Sequence, residues 1–219
     1  TKNWCEKKKI SIKKFFSLKK IKIINIQEEF LNTDDYNKIR LLISKSGTKF
    51  GGAGHLNLIY SLCENLNICN AVETGVAYGW SSLSILLSIS KRKGLLVSTD
   101  MQVIKQRNYE MIGIAVNKKY YNNWHIIREP DIYGLNACIK KLNYNYDFVH
   151  YDSDKSYYGR KWSYPILFKY LKTGGVFVSD DIQDNEYFKE FVETNNLEFY
   201  VLKLSYESGY EKFVGVVFK

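Results

Sequence analysis

From residue 70 onward, short apolar runs alternate with stretches of helical periodicity. The runs at 70–74 (NAVET), 94–100 (GLLVSTD), 124–129 (WHIIRE), 146–152 (YDFVHYD) and 176–181 (VFVSDD) have strand length and strand composition. Residues 79–90, 107–119, 132–141 and 157–171 space their apolar side chains as helices do, with Asp131 placed to cap the third. Gly174 and Gly175 break the fourth. Residues 185–196 predict one more helix, followed by strands at 198–204 (EFYVLKL) and 211–218 (EKFVGVVF). The turn-like YESGY at 206–210 joins them into an antiparallel hairpin at one sheet edge. Upstream, 34–46 and 55–67 predict helices on either side of a glycine-rich loop at 47–54. Apolar strands separated by helices require a largely parallel sheet covered on both faces. The expected class is α/β, with a seven-stranded mixed sheet.

In such a sheet, ligands bind beyond the carboxyl ends of the strands, near the point where strand order reverses. That rule selects 73–79, Asp100, 129–131, 152–155 and 180–181. The loop VETGVAYGWSS has Gly75 and Gly79 four apart. Ala77 stands where a dinucleotide fingerprint would have the glycine that admits a pyrophosphate, which disfavours NAD and FAD. Gly75 permits a tight turn, and Gly79 permits close backbone approach at the helix start. The helix N-terminus, with Ser81 and Ser82, suits a carboxylate, and Glu73 suits an ammonium. A carboxylate site beside an ammonium site matches the amino-acid end of S-adenosyl-L-methionine. Asp100 is then placed for the ribose hydroxyls, Asp131 for the adenine amino group, and Met101 to pack on the adenine.

Asp152, Asp154, Asp180 and Asp181 come from two neighbouring strand ends. Four carboxylates in one cleft repel each other unless a cation compensates. Oxygen ligands of this kind suit Mg²⁺ or Mn²⁺. On an extended segment Asp154 shares a face with Asp152, and this makes it the preferred catalytic base. The competing base is Lys155, which serves only if its pKa is depressed. His55 follows the glycine-rich loop, while His125 and His150 lie inside strands and read as structural. Tyr151, Tyr157, Tyr158, Trp162 and Tyr164 read as core or as a sugar-stacking surface, and Arg160 and Lys161 as a solvated helix face.

The stretches VETGVAYGWSS, VSTDM, YDFVHYDSDKSY and LKTGGVFVSDDI resemble the class I S-adenosylmethionine-dependent methyltransferases, whose fold is Rossmann-like. YDFVHYDSDKSY with GGVFVSDD is similar to the metal-dependent O-methyltransferases, both the caffeoyl-CoA/catechol branch and the macrocin-type sugar branch. The resemblance implies a divalent metal on Asp152, Asp180 and Asp181, with Asp152 also bordering the cofactor. It matches Lys155 to the catalytic lysine of the catechol-like branch. The Asp180–Asp181 pair looks more like the sugar-modifying branch. The implied activity is metal-assisted O-methylation of a hydroxyl on a sugar or glycan. A catechol- or phenol-type O-methyltransferase and a cofactor-binding, non-catalytic module are the alternatives.

Composition modifies this picture at one end only. The chain has 219 residues and a net charge of +9, but residues 1–22 carry nine lysines and one acid. The rest holds 23 basic and 22 acidic residues and is nearly neutral. This predicts a basic arm or linker over 1–33 and a methyltransferase domain over 34–219. The arm is expected to touch a partner or to join the domain to a larger protein, an idea prompted by the absence of an initiating Met. A nearly neutral body argues against a nucleic-acid substrate. Four scattered cysteines without a CxxC pair, and no apolar run of bilayer length, fit a reducing, cytoplasmic setting.

Overall fold

The computed structural model describes all residues except 27–32, 48–49, 51, 53, 102–108 and 206–210. Its elements in order are α1 (Lys2–Lys8), β1 (Lys9–Ile10), α2 (Ile12–Lys19), α3 (Asp34–Lys45), α4 (Leu56–Asn65), β2 (Asn70–Thr74), α5 (Trp80–Ile89), β3 (Leu95–Thr99), β4 (Trp124–Ile127), α6 (Asp131–Lys141), β5 (Tyr146–Tyr151), α7 (Tyr157–Tyr170), β6 (Leu171–Ser179), α8 (Tyr187–Thr194), β7 (Glu198–Ser205) and β8 (Glu211–Phe218).

One mixed sheet runs β1-β7-β8-β6-β5-β2-β3-β4, with β8 antiparallel to both its neighbours and every other pairing parallel. The fold is Rossmann-like, and it has eight strands where seven were expected. The extra strand is β1, which pairs with β7 through Lys9 and Ile10. The predicted hairpin forms, with β8 between β6 and β7, but β1 pairs outside β7 and takes the edge. The hairpin's turn, 206–210, lies outside the described residues, as do 48–49, 51 and 53 of the glycine-rich loop.

Strand alternation feeds two cores. In β5, Phe148 joins the cluster under α2, α4 and α5, while Val149 joins the one under α6, α7 and α8. Val176 and Val178 in β6 face the first cluster and Phe177 the second. The first twenty residues serve both faces, since Phe15 and Phe16 enter the first core and Cys5 the second.

Two local expectations fail. Part of the 107–119 helix lies outside the described residues, and the remainder forms short 3₁₀ turns at Tyr109–Met111 and Lys118–Asn123. Gly113 has φ +80°, and its N–H donates to Ala77 O while that of Ala115 donates to Tyr78 O, so bonds to the β2–α5 loop interrupt what would be a helical ladder. Likewise β6 begins at Leu171, before Gly174 and Gly175, with a register shift that pairs Leu171 with Tyr146 and then Val176 with Phe148.

Candidate active site

Register places the site. Thr74 lies beside both Thr99 and Tyr151, and Tyr151 lies beside Ser179. The residues that follow, Gly75, Asp100, Asp152 and Asp180, therefore stand level along one rim. Backbone bonds continue the ladder past the strands, from Gly75 N to Thr99 O at 2.9 Å, Asp152 N to Thr74 O at 2.9 Å and Asp180 N to Tyr151 O at 3.0 Å. Strand order reverses between β2 and β5, where Gly75 meets Asp152. Gly75 has φ +80°, and a Cβ there would sit 2.4 Å from the Asp152 carbonyl oxygen. No other residue lets these two strand ends close.

The rim opens into a cleft of 780 Å³ that brings Gly75, Asp100, Met101 and Asp131 together with Asp154 and Lys155. Asp100 Oδ2 accepts from Val76 N at 2.6 Å and Ala77 N at 2.9 Å. Its other oxygen makes no hydrogen bond among the described residues. Burial raises the Asp100 pKa against those two backbone donors. Asp131 is the first residue of α6, with Pro130 at the cap position. Its carboxylate turns to Thr99 Oγ1 at 2.8 Å and to Ser153 Oγ, not to its own helix. Burial raises its pKa as well. Met101 is half exposed on the cleft wall.

Glu73, Ser81 and Ser82 are arranged differently from the expectation. Glu73 is fully buried beneath the loop and accepts from Ser81 Oγ at 2.6 Å, Ser82 Oγ and Ser98 Oγ at 3.0 Å. The serines thus hold an internal carboxylate. Ala77 is left-handed at φ +49°, and its N–H is already given to Asp100. Gly79, at φ +84°, makes its close backbone approach to Gly113.

The acids divide three to one. Carboxylate oxygens of Asp152, Asp180 and Asp181 lie within 4.8 Å of one another. Asp154 is exposed and outside this group. The chain bends after Tyr151, which removes the extended geometry that would put Asp154 and Asp152 on one face. Its Oδ1 instead accepts from Ser156 N at 2.9 Å, a local turn bond. Lys155 takes the central place, with Nζ 2.9 Å from Asp152 Oδ1 and donating to Asp181 Oδ2. Burial alone would lower the Lys155 pKa, but the two carboxylates outweigh it and hold the side chain as an ammonium. Burial and the neighbouring Asp180 push Asp152 up to about 6. Burial opposes ionisation of Asp180 too, yet His55 and Lys212 beside it hold its carboxyl at about 2. Burial drives His55 itself down to about 3, and Lys212 lies in direct contact with Asp180 Oδ2.

Four residues with no part in the sequence-derived site surround these acids. Lys212 is buried in β8 and donates to Asp180 Oδ2. Arg160, expected on a solvated helix face, is fully buried and donates to the carbonyls of Asp180 at 3.0 Å and Asp181 at 2.8 Å. These bonds anchor a segment in which Asp181 itself is left-handed, at φ +49°. His55 and His150 are both buried, with ring centroids 5.7 Å apart. His55 Nδ1 is 3.7 Å from Asp180 and His150 Nδ1 is 3.4 Å from Glu73, so the two rings lie between β2 and the acids. Burial works against charge on His150, but Glu73 outweighs it and raises the pKa. The one sequence signal for Lys212 was a lysine inside an otherwise apolar strand. Of the aromatic candidates, Tyr151 and Tyr164 are core, while Tyr158 and Trp162 line the cleft.

No curated protein sequence matches the chain. The fold is shared with solved O-methyltransferases at low identity. The enzyme from Bacillus cereus, in complex with S-adenosylhomocysteine, superposes with a TM-score of 0.68 at 16% identity, over 89% of this chain and 95% of that one. TomG from Streptomyces achromogenes, involved in tomaymycin synthesis and in complex with S-adenosylmethionine, superposes with a TM-score of 0.70 at 14% identity, over 94% of both chains. Residues 72–182, which hold Glu73, the β2–α5 loop and all the acids of the rim, match the family model described as a methyltransferase domain. That match spans half of the sequence, and the chain belongs to this methyltransferase domain family.

Proposed function

We propose that the protein transfers the methyl group of S-adenosyl-L-methionine to a hydroxyl, with a sugar or glycan as the acceptor and a divalent cation, Mg²⁺ or Mn²⁺, assisting. The observation that carries this is the single rim on which a cleft with Asp100, Met101 and Asp131 adjoins three clustered carboxylates. The cleft volume falls within the range of small-molecule sites. Asp100 offers an oxygen to the ribose, and Met101 offers an apolar surface to the adenine.

The acid cluster fits a hard cation. Asp180 Oδ1 is buried without a hydrogen-bond partner, and all the donors are oxygens. Asp152, Asp180 and Asp181 would hold the ion, whose Lewis acidity lowers the pKa of an acceptor hydroxyl. Lys155 is the side chain placed to take the hydroxyl proton at Nζ. With Asp152 and Asp181 unneutralised it stays an ammonium, so it becomes a base only when another charge satisfies them. Asp154, engaged in its turn, has no such place. Arg160 and Lys212 hold the Asp180–Asp181 segment in position, and alignment of acceptor oxygen, methyl carbon and sulfur supplies much of the acceleration.

The position of Lys155 favours a second reading, a phenol or catechol acceptor, because that branch is the one expected to use the lysine. Tyr158 and Trp162 on the cleft wall suit either a sugar face or an aromatic ring. Calorimetry with S-adenosylhomocysteine, followed by methyl transfer to sugar and catechol panels with Mg²⁺, Mn²⁺ or EDTA, tests the reading. Transfer to sugars that EDTA abolishes supports it, and full activity in EDTA removes the metal. Cofactor binding with no transfer to any acceptor favours a non-catalytic module.

A further inference from the structure

The lysine-rich start of the chain takes no part in the rim, yet the fold holds it in place. β1 extends the sheet beside β7, and α2 buries Phe15 and Phe16 in the core. A helix of 3.6 residues per turn then places Lys13, Lys14, Ser17 and Leu18 on the opposite side, within an arc of about 140°. All four are exposed. Lys20, at the left-handed end of α2, and Lys22 and Ile23 beyond it are exposed as well. Leu18 and Ile23 are 56% and 48% exposed.

Lys13, Lys14, Lys20 and Lys22 form no ion pair among the described residues. The acids of this edge are engaged elsewhere, Glu6 with Lys9 and Lys203, and Glu198 with Lys19. Within residues 13–23 the chain thus exposes four lysines without an ion pair among the described residues, together with two aliphatic side chains.

We propose that α2 and the segment after it dock on an anionic lipid membrane. Lysines meet the headgroup charge, and Leu18 and Ile23 enter the boundary between headgroups and acyl chains. The attachment is that of a basic surface on anionic headgroups, with two aliphatic side chains inserted, since the apolar face of α2 itself is spent on the core. The composition of the face separates lipid from nucleic acid. Residues 1–22 contain no arginine to fork onto phosphates, and the exposed side of α2 carries no aromatic ring on which a base could stack. Two exposed aliphatics, by contrast, gain nothing from a nucleic acid and do gain from a membrane. With one short helix and two insertions, the attachment is weak and reversible, and salt loosens it. The proposal stands apart from the methyl-transfer reading and does not depend on it.

The test is co-sedimentation of the full chain with vesicles of phosphatidylcholine alone or mixed with phosphatidylglycerol, across a salt series. The expected result is binding to the mixed vesicles, lost at high salt, and none to phosphatidylcholine alone. At roughly fivefold per lysine near an anionic surface, Lys13→Gln with Lys14→Gln weakens binding roughly 25-fold. Leu18→Ser with Ile23→Ser weakens vesicle binding while leaving retention on a heparin column unchanged. All four positions are exposed, so an unchanged melting temperature confirms that the variants fold. Failure to bind mixed vesicles overturns the proposal. So does vesicle binding that is indifferent to Leu18 and Ile23 and is competed away by single-stranded RNA, which would assign the face to nucleic acid.

Discussion

The two halves of the rim hold their carboxylates by opposite means. At the ends of β2 and β3, the hydrogen bonds to Glu73, Asp100 and Asp131 come from three serine hydroxyls, two backbone N–H groups, and a threonine and a serine hydroxyl, with one titratable neighbour, His150, beside Glu73. At the ends of β5 and β6, Asp152, Asp180 and Asp181 are met by the cations Lys155 and Lys212. On the reading proposed above, this first half receives a cationic sulfonium and a zwitterionic tail, and no lysine or arginine is ion-paired with its three carboxylates among the described residues. A cation in the other half can be exchanged for a different one, and that is the property a metal site or a proton-transfer site requires.

The sharpest challenge to that contrast is at Lys155. Lys155→Met is expected to lower kcat by roughly 10²–10⁴-fold while the calorimetric affinity for S-adenosylhomocysteine stays unchanged. Asp154→Asn is expected to stay within about twofold. The reverse pattern would return the base to Asp154. Next in size is the junction between the halves. Gly75→Val puts a Cβ against the Asp152 carbonyl at a positive φ, and thermal denaturation should show a loss of roughly 3 kcal/mol or more. In the neutral half, Asp100→Ala should weaken S-adenosylhomocysteine binding by roughly 10-fold with little change in kcat, because a charged acceptor is worth about 1.5–3 kcal/mol.

The smallest effect is electrostatic. Burial and Asp180 raise Asp152 to about 6, whereas an unfolded aspartate titrates at about 3.9. Between those values the folded state binds more protons than the unfolded one, so stability falls as pH rises from about 4 through about 6. Asp152→Asn removes this loss. Its unfolding free energy in urea should improve relative to the parent chain above pH 6, by on the order of 1 kcal/mol after allowing for partial exposure, and should show no such gain at pH 4. A gain that persists at pH 4 would mean that Asp152 is not the titrating group.

At the ends of β2 and β3 the sequence located the rim residues but not the engagement of Ser81 and Ser82 with Glu73. Gly75, Asp100, Met101 and Asp131 are each adjacent to a strand end, and an apolar run ending in an acid marks that end without knowledge of its neighbours. The acidic half was legible in its members but not in its arrangement. Asp154 looked like a partner of Asp152 only as long as the strand was taken to continue, and the bend after Tyr151 ended it. Arg160 looked solvated because helical spacing does not say which charge a neighbouring loop will cover. Lys212 and His55 are distant in sequence from Asp180, and local pattern carries no signal of such a meeting.

Period and composition thus determined the elements from residue 34 onward apart from 107–119, the parallel core of the sheet and the strand ends that line the rim, because those depend on residues a few positions apart. Tertiary structure alone decided that residues 9–10 add an eighth strand, that β8 lies inside the sheet, and that two lysines and an arginine stand among the acids. These depend on register and packing between segments far apart in the chain, where burial energy and paired charge select the partner and sequence proximity has no say.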